Sequence, residues 1–167
     1  MPGTVHPRVE FEMIETNSRA RIQKRPIENK TCLNEAYDYE SKVSFVRGMR
    51  VDLDNVVMLF ISGTASVDDK GESIYPGDVK AQTRRAFENI KGLLESEGGD
   101  WHDMVRTTCY LADFRNYDDF NEVRNQFYEE EHLVPYPAST CIEARICRAD
   151  LMVEIEAIAM IPKGRKT

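Results

Sequence analysis

Apolar residues between positions 41 and 162 are spaced in ways that predict both strands and helices. Residues 56–61 (Val-Val-Met-Leu-Phe-Ile) form a continuous apolar run, which is typical of a strand that is covered on both faces. The run ends at residues 62–65 (Ser-Gly-Thr-Ala), where small side chains let a ligand or another backbone approach closely. A shorter strand is predicted just before it, around residues 47–51, and a polar turn joins the two.

A helix follows this pair of strands. Asp78 is a candidate N-cap, apolar side chains recur at helical spacing over residues 79–94, and the pair Gly98-Gly99 ends the segment. Residues 105–111 then alternate between two sets of side chains, which predicts a further strand.

The last third of the chain predicts a second helix and two more strands. Asn116 followed by Asp119 resembles a capping arrangement. The apolar stripe of this helix would be Tyr117, Phe120, Val123 and Phe127. Strands are predicted at about residues 138–146 and 152–160, and the short connection 147–150 suits a hairpin.

The element order β-β-α-β-α-β-β predicts an α+β domain with a single sheet and both helices packed on one face. The other face must also be covered, and the pattern offers no third helix for it. A neighbouring copy of the chain is the natural cover, so we expect an oligomer.

The N-terminal part has a different character. Residues 1–40 are polar with little periodicity, which predicts an extension that contains one early strand around residues 9–14. Ordered structure is expected to begin near Ser41. The chain is thus divided into an extension (1–40), one domain (41–162) and a short basic tail (163–167).

Composition narrows the class of protein. A chain of 167 residues with 41% hydrophobic and 31% charged residues fits one ordinary globular domain. The net charge of -7 argues against a nucleic-acid partner, which needs a concentrated positive surface. No apolar run is long enough to cross a membrane, and the N-terminus lacks the features of an export signal, so a cytoplasmic location is expected. The four cysteines and three histidines lack the spacing of a zinc site, so no metal is expected.

Alternation along the last two predicted strands suggests where chemistry could occur. Ser139, Cys141, Glu143 and Arg145 share one face of the first strand, and Glu154 and Glu156 point away from the apolar face of the second. An antiparallel pairing of the two strands would bring such groups within reach of one another. The same pattern is also that of an exposed face with solvated carboxylates and a Glu–Arg pair, and periodicity leaves both interpretations open.

Several segments occur in the order and spacing of one family. They are Phe60–Gly63, Gln82–Lys91, Val105–Leu111, Asp119–Val123, Pro137–Cys141 and Val153–Ala159. Together they resemble RidA/YjgF-like proteins, also called the L-PSP endoribonuclease-like family. The resemblance implies a chorismate-mutase-like α+β fold and a homotrimer with pockets between subunits. It also implies hydrolysis of reactive enamines and imines to keto acids and ammonia, without a cofactor.

The resemblance also assigns roles to individual residues. Glu154 matches the family glutamate that orients or activates water. The substrate-binding positions that match are Phe45 as an aromatic lid, Ser62 and Gly63 as a small-residue wall, Asn121 as a polar pocket residue and Cys141 as a pocket cysteine.

One position departs from the deaminase branch of the family. That branch has an arginine directly after the Pro-Ala pair, where it binds the substrate carboxylate, and this chain has Ser139 there. Loss of a charge-assisted hydrogen bond costs about 1.5–3 kcal/mol, or a factor of ten or more in binding. Arg145 is too far along the strand to substitute, at roughly 20 Å. An arginine of a neighbouring subunit (Arg47, Arg50 or Arg106) could supply the cation.

A partial likeness to chorismatases involves Cys147, Glu154 and the segment 62–66. Three hypotheses follow. The first is a cofactor-independent hydrolase or deaminase that acts on a small imine, enamine or enol, with Glu154 positioning water or a proton. The second is a non-catalytic trimer that binds a small ligand or has a regulatory role, and the third is chorismatase-like chemistry. The acidic charge and the lack of a suitably placed histidine argue against a ribonuclease or translation inhibitor.

Overall fold

The computed structural model describes residues 22–39 and 42–164, which form one sheet and two α-helices. Within these residues the strands and helices are β1 Gln23–Pro26, β2 Gly48–Asp52, β3 Val56–Ala65, α1 Val79–Ser96, β4 Met104–Leu111, α2 Tyr117–Glu130, β5 Ala138–Glu143 and β6 Val153–Pro162. Short 3-10 helices lie at Ala36–Asp38, Trp101–Asp103 and Phe114–Asn116. The α+β class and the order of elements from β2 to β6 agree with the prediction.

The sheet has the order β1-β2-β3-β6-β4-β5. All neighbouring strands are antiparallel except β4 and β5, which pair in parallel through α2 as the crossover connection. The predicted β5–β6 hairpin is therefore wrong. The crossover through α2 places β5 at the edge of the sheet beyond β4, and β6 pairs between β3 and β4 instead.

Helix α1 begins and packs as its sequence predicts. The Asp78 carboxylate accepts a hydrogen bond from the Ala81 backbone N–H at 2.9 Å, so the predicted N-cap is confirmed. The apolar stripe, which includes Phe87, Ile90 and Leu93, is completely buried. Cap and stripe together fix where the helix starts and which face it turns towards the sheet.

Helix α2 starts differently from the prediction. Asn116 is its N-cap residue but makes no side-chain capping hydrogen bond, so the expected capping arrangement does not form. The preceding 3-10 turn is capped instead by Asp113, which accepts from the Arg115 backbone N–H at 2.9 Å. The 3-10 turn therefore leads directly into α2, and Asn116 contributes no capping hydrogen bond.

Both helices cover the same face of the sheet, as predicted. Phe87 of α1 stacks on Phe127 of α2 with ring centroids 5.1 Å apart, and Trp101 packs edge-on against Phe87. These rings belong to one core cluster with Leu59 of β3 and Ile155 of β6. No described helix covers the opposite face, where Phe60 and Met160 remain 41% and 37% exposed.

Ordered structure begins earlier than expected. β1 extends the sheet beside β2, and Ile27 and Leu33 are fully buried in the core, so the prediction that order begins near Ser41 is wrong. The sequence of β1 (Gln-Lys-Arg-Pro) is exposed throughout, as an edge strand allows, and so lacks the apolar alternation that marks a strand. The strand predicted at residues 9–14 lies outside the described residues. None of the helices in the described part of the chain could cross a lipid bilayer.

Candidate functional site

A cavity of about 340 Å³ lies on the side of β3 and β6 that faces away from the helices. Five of the predicted site residues line it: Phe45, Ser62, Gly63, Cys147 and Glu154. Residues that were not predicted to contribute to the site also line it, among them Tyr39 and Arg148. The cavity therefore brings together most of the predicted site residues.

Glu154 owes its position to the alternation of β6. Its neighbours Val153 and Ile155 are fully buried beneath the helices, so the Glu154 side chain points to the opposite face and into the cavity. There it is half-buried and forms no hydrogen bond or ion pair with residues 22–39 or 42–164 through its carboxylate. Burial, and secondly the nearby charge of Glu156, raise the pKa of this carboxyl group.

Gly63 provides the space for that carboxylate. The register between β3 and β6 shifts between Ile61 and Thr64, and Gly63 lies in this irregular stretch. A Cβ atom built on Gly63 would lie only 1.9 Å from Glu154 Oε1. Any larger residue would displace the carboxylate, so Glu154 can occupy this position only because residue 63 is a glycine.

Ser62 ties the preceding segment to β3. Its hydroxyl donates to the Val46 carbonyl at 2.7 Å, and its backbone N–H donates to the Arg47 carbonyl at 3.0 Å. These bonds hold residues 45–47 beside the cavity, where Phe45 is 44% exposed. Phe45 thus presents an exposed aromatic ring at the cavity, and its role as a lid stays a prediction.

Two arginines and a tyrosine form the polar end of the cavity. The Tyr39 hydroxyl accepts an N–H from Arg47 at 3.0 Å and one from Arg148 at 3.4 Å. The buried Arg47 also donates to the backbone and side-chain oxygens of Asn34, both at 2.6 Å. Arg148 donates to the Gly71 carbonyl at 2.7 Å. Two separate segments of the chain, at residues 34–39 and at Gly71, therefore hold these two guanidinium groups in place.

The remaining predicted site residues lie elsewhere, on the helix-covered side of the sheet. Ser139 pairs in register with the buried Thr107, and the two hydroxyls are 3.1 Å apart. Arg124 of α2 donates to the Ser139 hydroxyl at 3.4 Å and to the side-chain oxygen of Asn121. Cys141 is half-buried against the core, in register with Cys109. Asn121, Ser139 and Cys141 thus form a second polar group around Arg124.

The prediction that Ser139, Cys141 and Glu154 share one face of the sheet is therefore wrong. It assumed that β5 lies next to β6, whereas β4 lies between them. Tyr110 of β4 is the register partner of both Glu154 and Ile142, so Ile142 of β5 shares the face of the acid and Cys141 points the other way.

Cys141 of the second group and its register partner Cys109 are poor nucleophiles. Burial raises the pKa of the Cys141 thiol to about 11, and the pKa of Cys109 is raised for the same reason. Both thiols are therefore protonated near neutral pH, whereas the thiolate is the reactive form. In the described part of the chain no group of three or more His, Cys, Asp and Glu residues could hold a metal ion.

The arginines suggested by the sequence have different surroundings. Arg50 is ion-paired with Asp52 and Glu97 and does not line the cavity. Arg106 lines a separate cavity of about 320 Å³ on the uncovered face. Arg47 does line the Glu154 cavity, within the same chain. Arg148, which sequence reasoning missed, lies in the connection before β6, and no local sequence pattern marks it.

Comparisons with known proteins agree with this architecture. A family model described as Endoribonuclease L-PSP matches residues 39–161. A RutC family protein of Pyrococcus horikoshii is 39% identical over 101 residues, which are 60% of this chain and 77% of that protein. The structure of E. coli TdcF with bound serine superposes with a TM-score of 0.66 at 31% identity, covering 81% of this chain and 97% of TdcF. The E. coli YjgF gene product gives a TM-score of 0.65 at 30% identity, covering 81% and 97% of the two chains.

Proposed function

The chain belongs to the RidA/YjgF family, whose model is described as Endoribonuclease L-PSP, and on this premise we propose that it hydrolyses a small imine-, enamine- or enol-type metabolite without a cofactor. The reaction takes place in the Glu154 cavity, and Glu154 positions the attacking water and accepts its proton. For an imine the overall change is addition of one water molecule and release of ammonia, which leaves a carbonyl compound.

The unpartnered carboxyl group of Glu154 carries this proposal. A half-buried acid that no described side chain neutralises is costly to maintain unless it has a role at the site. Its raised pKa brings its proton affinity closer to neutral pH, where a general base works best. A water molecule held by this carboxylate would lie against the open backbone at Gly63.

In the proposed hydrolysis, the water oxygen forms a bond to the imine carbon while Glu154 takes one water proton. The electron pair of the C=N bond moves to nitrogen, which takes this proton from Glu154 to give a carbinolamine. Glu154 then takes the proton of the carbinolamine hydroxyl group and passes it to nitrogen, so that the C–N bond breaks and ammonia leaves as the C=O bond forms. The carboxyl group ends in the state in which it began, so no oxidant, reductant or cofactor is required.

We also propose that the chain works as a homotrimer with sites between subunits. The uncovered sheet face exposes the apolar side chains of Phe60 and Met160, which a second copy could bury. Native mass spectrometry should give a mass of three 19.2-kDa chains. A monomer at micromolar concentration would contradict this part of the proposal.

A second candidate is a protein that binds a small ligand without chemistry. It is favoured by TdcF, which was solved with bound serine, and by Ser139 in place of an arginine. A ribonuclease role is not proposed, because the net charge of -7 disfavours an RNA partner.

The test is turnover of 2-imino acids, produced in situ from amino acids by an amino-acid oxidase, with keto-acid formation measured above the spontaneous rate. Chorismate is included in the panel to test the third hypothesis. Glu154→Gln should abolish turnover while the fold is retained. Glu156→Gln is the matched control, because Glu156 lies on the same strand and face but lines the other cavity.

The control should keep its turnover, with the pH profile shifted to lower pH, since Glu156 contributes to the raised pKa of Glu154. Full activity in Glu154→Gln would rule out the catalytic role. Ligand-induced stabilisation without any product across the panel would favour the second candidate.

A further inference from the structure

Arg47 and Arg148 are among the arginines that form no ion pair with the residues that the structure describes, and of these arginines they are the two that line the Glu154 cavity. Arg25, Arg50 and Arg84 each form ion pairs with carboxylates. No carboxylate of residues 22–39 or 42–164 lies within 4.0 Å of either cavity arginine. All of their hydrogen bonds within these residues go to neutral oxygens.

This arrangement is costly for Arg47 in particular. Arg47 as a residue is only 5% exposed, and a buried charge without an ion pair is destabilising. Glu35 is also buried, and burial raises the pKa of its carboxyl group, while the Asn29 backbone N–H and, more weakly, the charge of Arg47 lower it. Its carboxylate accepts the Asn29 N–H at 2.7 Å and forms no ion pair with Arg47.

We propose that Arg47 and Arg148, joined through the Tyr39 hydroxyl, bind an oxyanion group of the ligand in the Glu154 cavity. The oxyanion is a carboxylate or a phosphate, both of which match guanidinium donors. The inference rests on the proposed function only in taking this cavity as the ligand site, and it does not require that Glu154 be catalytic.

Free donors at this end of the cavity support the proposal. Arg47 Nη1 makes no hydrogen bond to the described residues. Because the Tyr39 hydroxyl accepts from both arginines, its own O–H is available to donate to a ligand. The Tyr39 and Phe45 rings flank the Arg47 guanidinium at 5.5 and 5.6 Å, which suits a ligand with an apolar portion.

The proposal gives the cavity two distinct ends. The arginines fix the anionic group, and Glu154 faces the rest of the ligand without an ion pair to either arginine. A volume of about 340 Å³ is at the small end of the range for ligand pockets, so the ligand is a small metabolite. The cation that a substrate acid needs thus comes from the chain that supplies Glu154, and residue 139 need not provide it.

Isothermal titration of the full chain with benzoate, benzamide and phenyl phosphate tests this inference. Benzamide matches benzoate in shape but lacks the charge, so benzoate should bind at least about tenfold more tightly, which corresponds to about 1.4 kcal/mol. The better of benzoate and phenyl phosphate identifies the oxyanion as carboxylate or phosphate.

Variants of Arg148 localise the binding without disturbing the buried Arg47. Arg148→Gln should weaken binding of the preferred anion at least about tenfold, and Arg148→Lys should restore part of it. Arg145→Gln is the matched control, because Arg145 lies in the same connection but does not line this cavity, and it should bind like the wild type. Thermal unfolding of each variant checks that the fold is kept.

Three results would overturn the inference: equal affinity for benzoate and benzamide, unchanged anion binding in Arg148→Gln, or no binding of either anion at millimolar concentration. Titration of Glu154→Gln separates this inference from the proposed reaction. That variant should lose turnover yet still bind the anion. Failure of only one of these two expectations identifies which proposal is wrong.

Discussion

Replacement of Gly63 by alanine tests whether the Glu154 carboxylate must occupy its observed position. The new Cβ would lie 1.9 Å from Glu154 Oε1 and 2.8 Å from Cδ. Non-bonded heavy atoms prefer separations of about 3.5 Å, so the carboxylate would have to retreat by roughly 1.5 Å. A misplacement of about 1 Å in a catalytic group costs on the order of 100-fold in rate, and we expect a loss of at least that size in turnover.

The fold should survive this change. The atoms in conflict belong to the flexible end of one side chain, and Gly63 does not have a positive φ angle. Alanine also lowers the conformational entropy of the unfolded chain, which stabilises the folded state by about 0.4–1 kcal/mol. The free energy of unfolding should therefore change by less than about 1 kcal/mol, or roughly 2–4 °C in Tm for a chain of this size.

The assay is again keto-acid formation from 2-imino acids, combined with thermal unfolding and a crystal structure of the variant. Gly99→Ala is the control, because its Cβ would lie 2.7 Å from the flexible end of Ile161, remote from the cavity. The control should turn over substrate at the wild-type rate. Wild-type turnover by Gly63→Ala with a visibly displaced carboxylate would refute the reasoning.

Three further predictions concern stability. Burial, and then Glu156, raise the pKa of Glu154 in the folded chain. As the pH rises from about 4.3, the unfolded chain therefore releases this proton first, and the free energy of unfolding falls until Glu154 has also ionised in the folded chain. Urea unfolding should therefore show Glu154→Gln gaining stability relative to the wild type between about pH 4 and pH 7, and a constant difference would contradict this. Asp78→Ala should lower the free energy of unfolding by about 1 kcal/mol, whereas Asn116→Ala, which removes no capping bond, should cost much less. Ile27→Ala should cost about 2–5 kcal/mol in the same measurement, because Ile27 is fully buried; a neutral effect would show that residues 22–39 do not belong to the core.

The elements that the sequence predicted correctly are those whose own residues determine them. The apolar run at 56–61 and the alternation at 153–159 depend on which side chains the core requires, and both segments are central strands. The start of α1 depends on a hydrogen bond between residues only three positions apart in sequence, from the Ala81 backbone N–H to the Asp78 carboxylate. Such local signals do not depend on the path of the chain elsewhere.

The errors arose where distant parts of the chain decide the outcome. β1 is an exposed edge strand whose residues need not be apolar, and its partner β2 lies over twenty residues away. The hairpin between β5 and β6 was inferred from a short connection, but each of these strands pairs with β4, which lies between them. Because of that error in strand order, Cys141 and Glu154 were expected on the same face of the sheet, whereas they lie on opposite faces.

The candidate site was predictable to a similar extent. Glu154, Ser62 and Gly63 were identified from motifs, and the structure gathers them in one cavity. Arg148 could not be identified, because bonds to distant residues, among them Tyr39 and Gly71, hold it at the cavity. These partners are 109 and 77 residues away in sequence, beyond the range of any local pattern.

The two polar groups differ in what they require of a second subunit. Glu154 points from the uncovered face of the sheet, whereas Ser139 and Cys141 lie on the helix-covered side of the edge strand β5, so one chain cannot bring both groups into one cavity. A shared site would need β5 of another copy to approach the Glu154 cavity. The pair Arg47 and Arg148, by contrast, already lies beside Glu154 within one chain. Anion binding should therefore be independent of assembly, while any contribution of Ser139 and Cys141 to the chemistry depends on it.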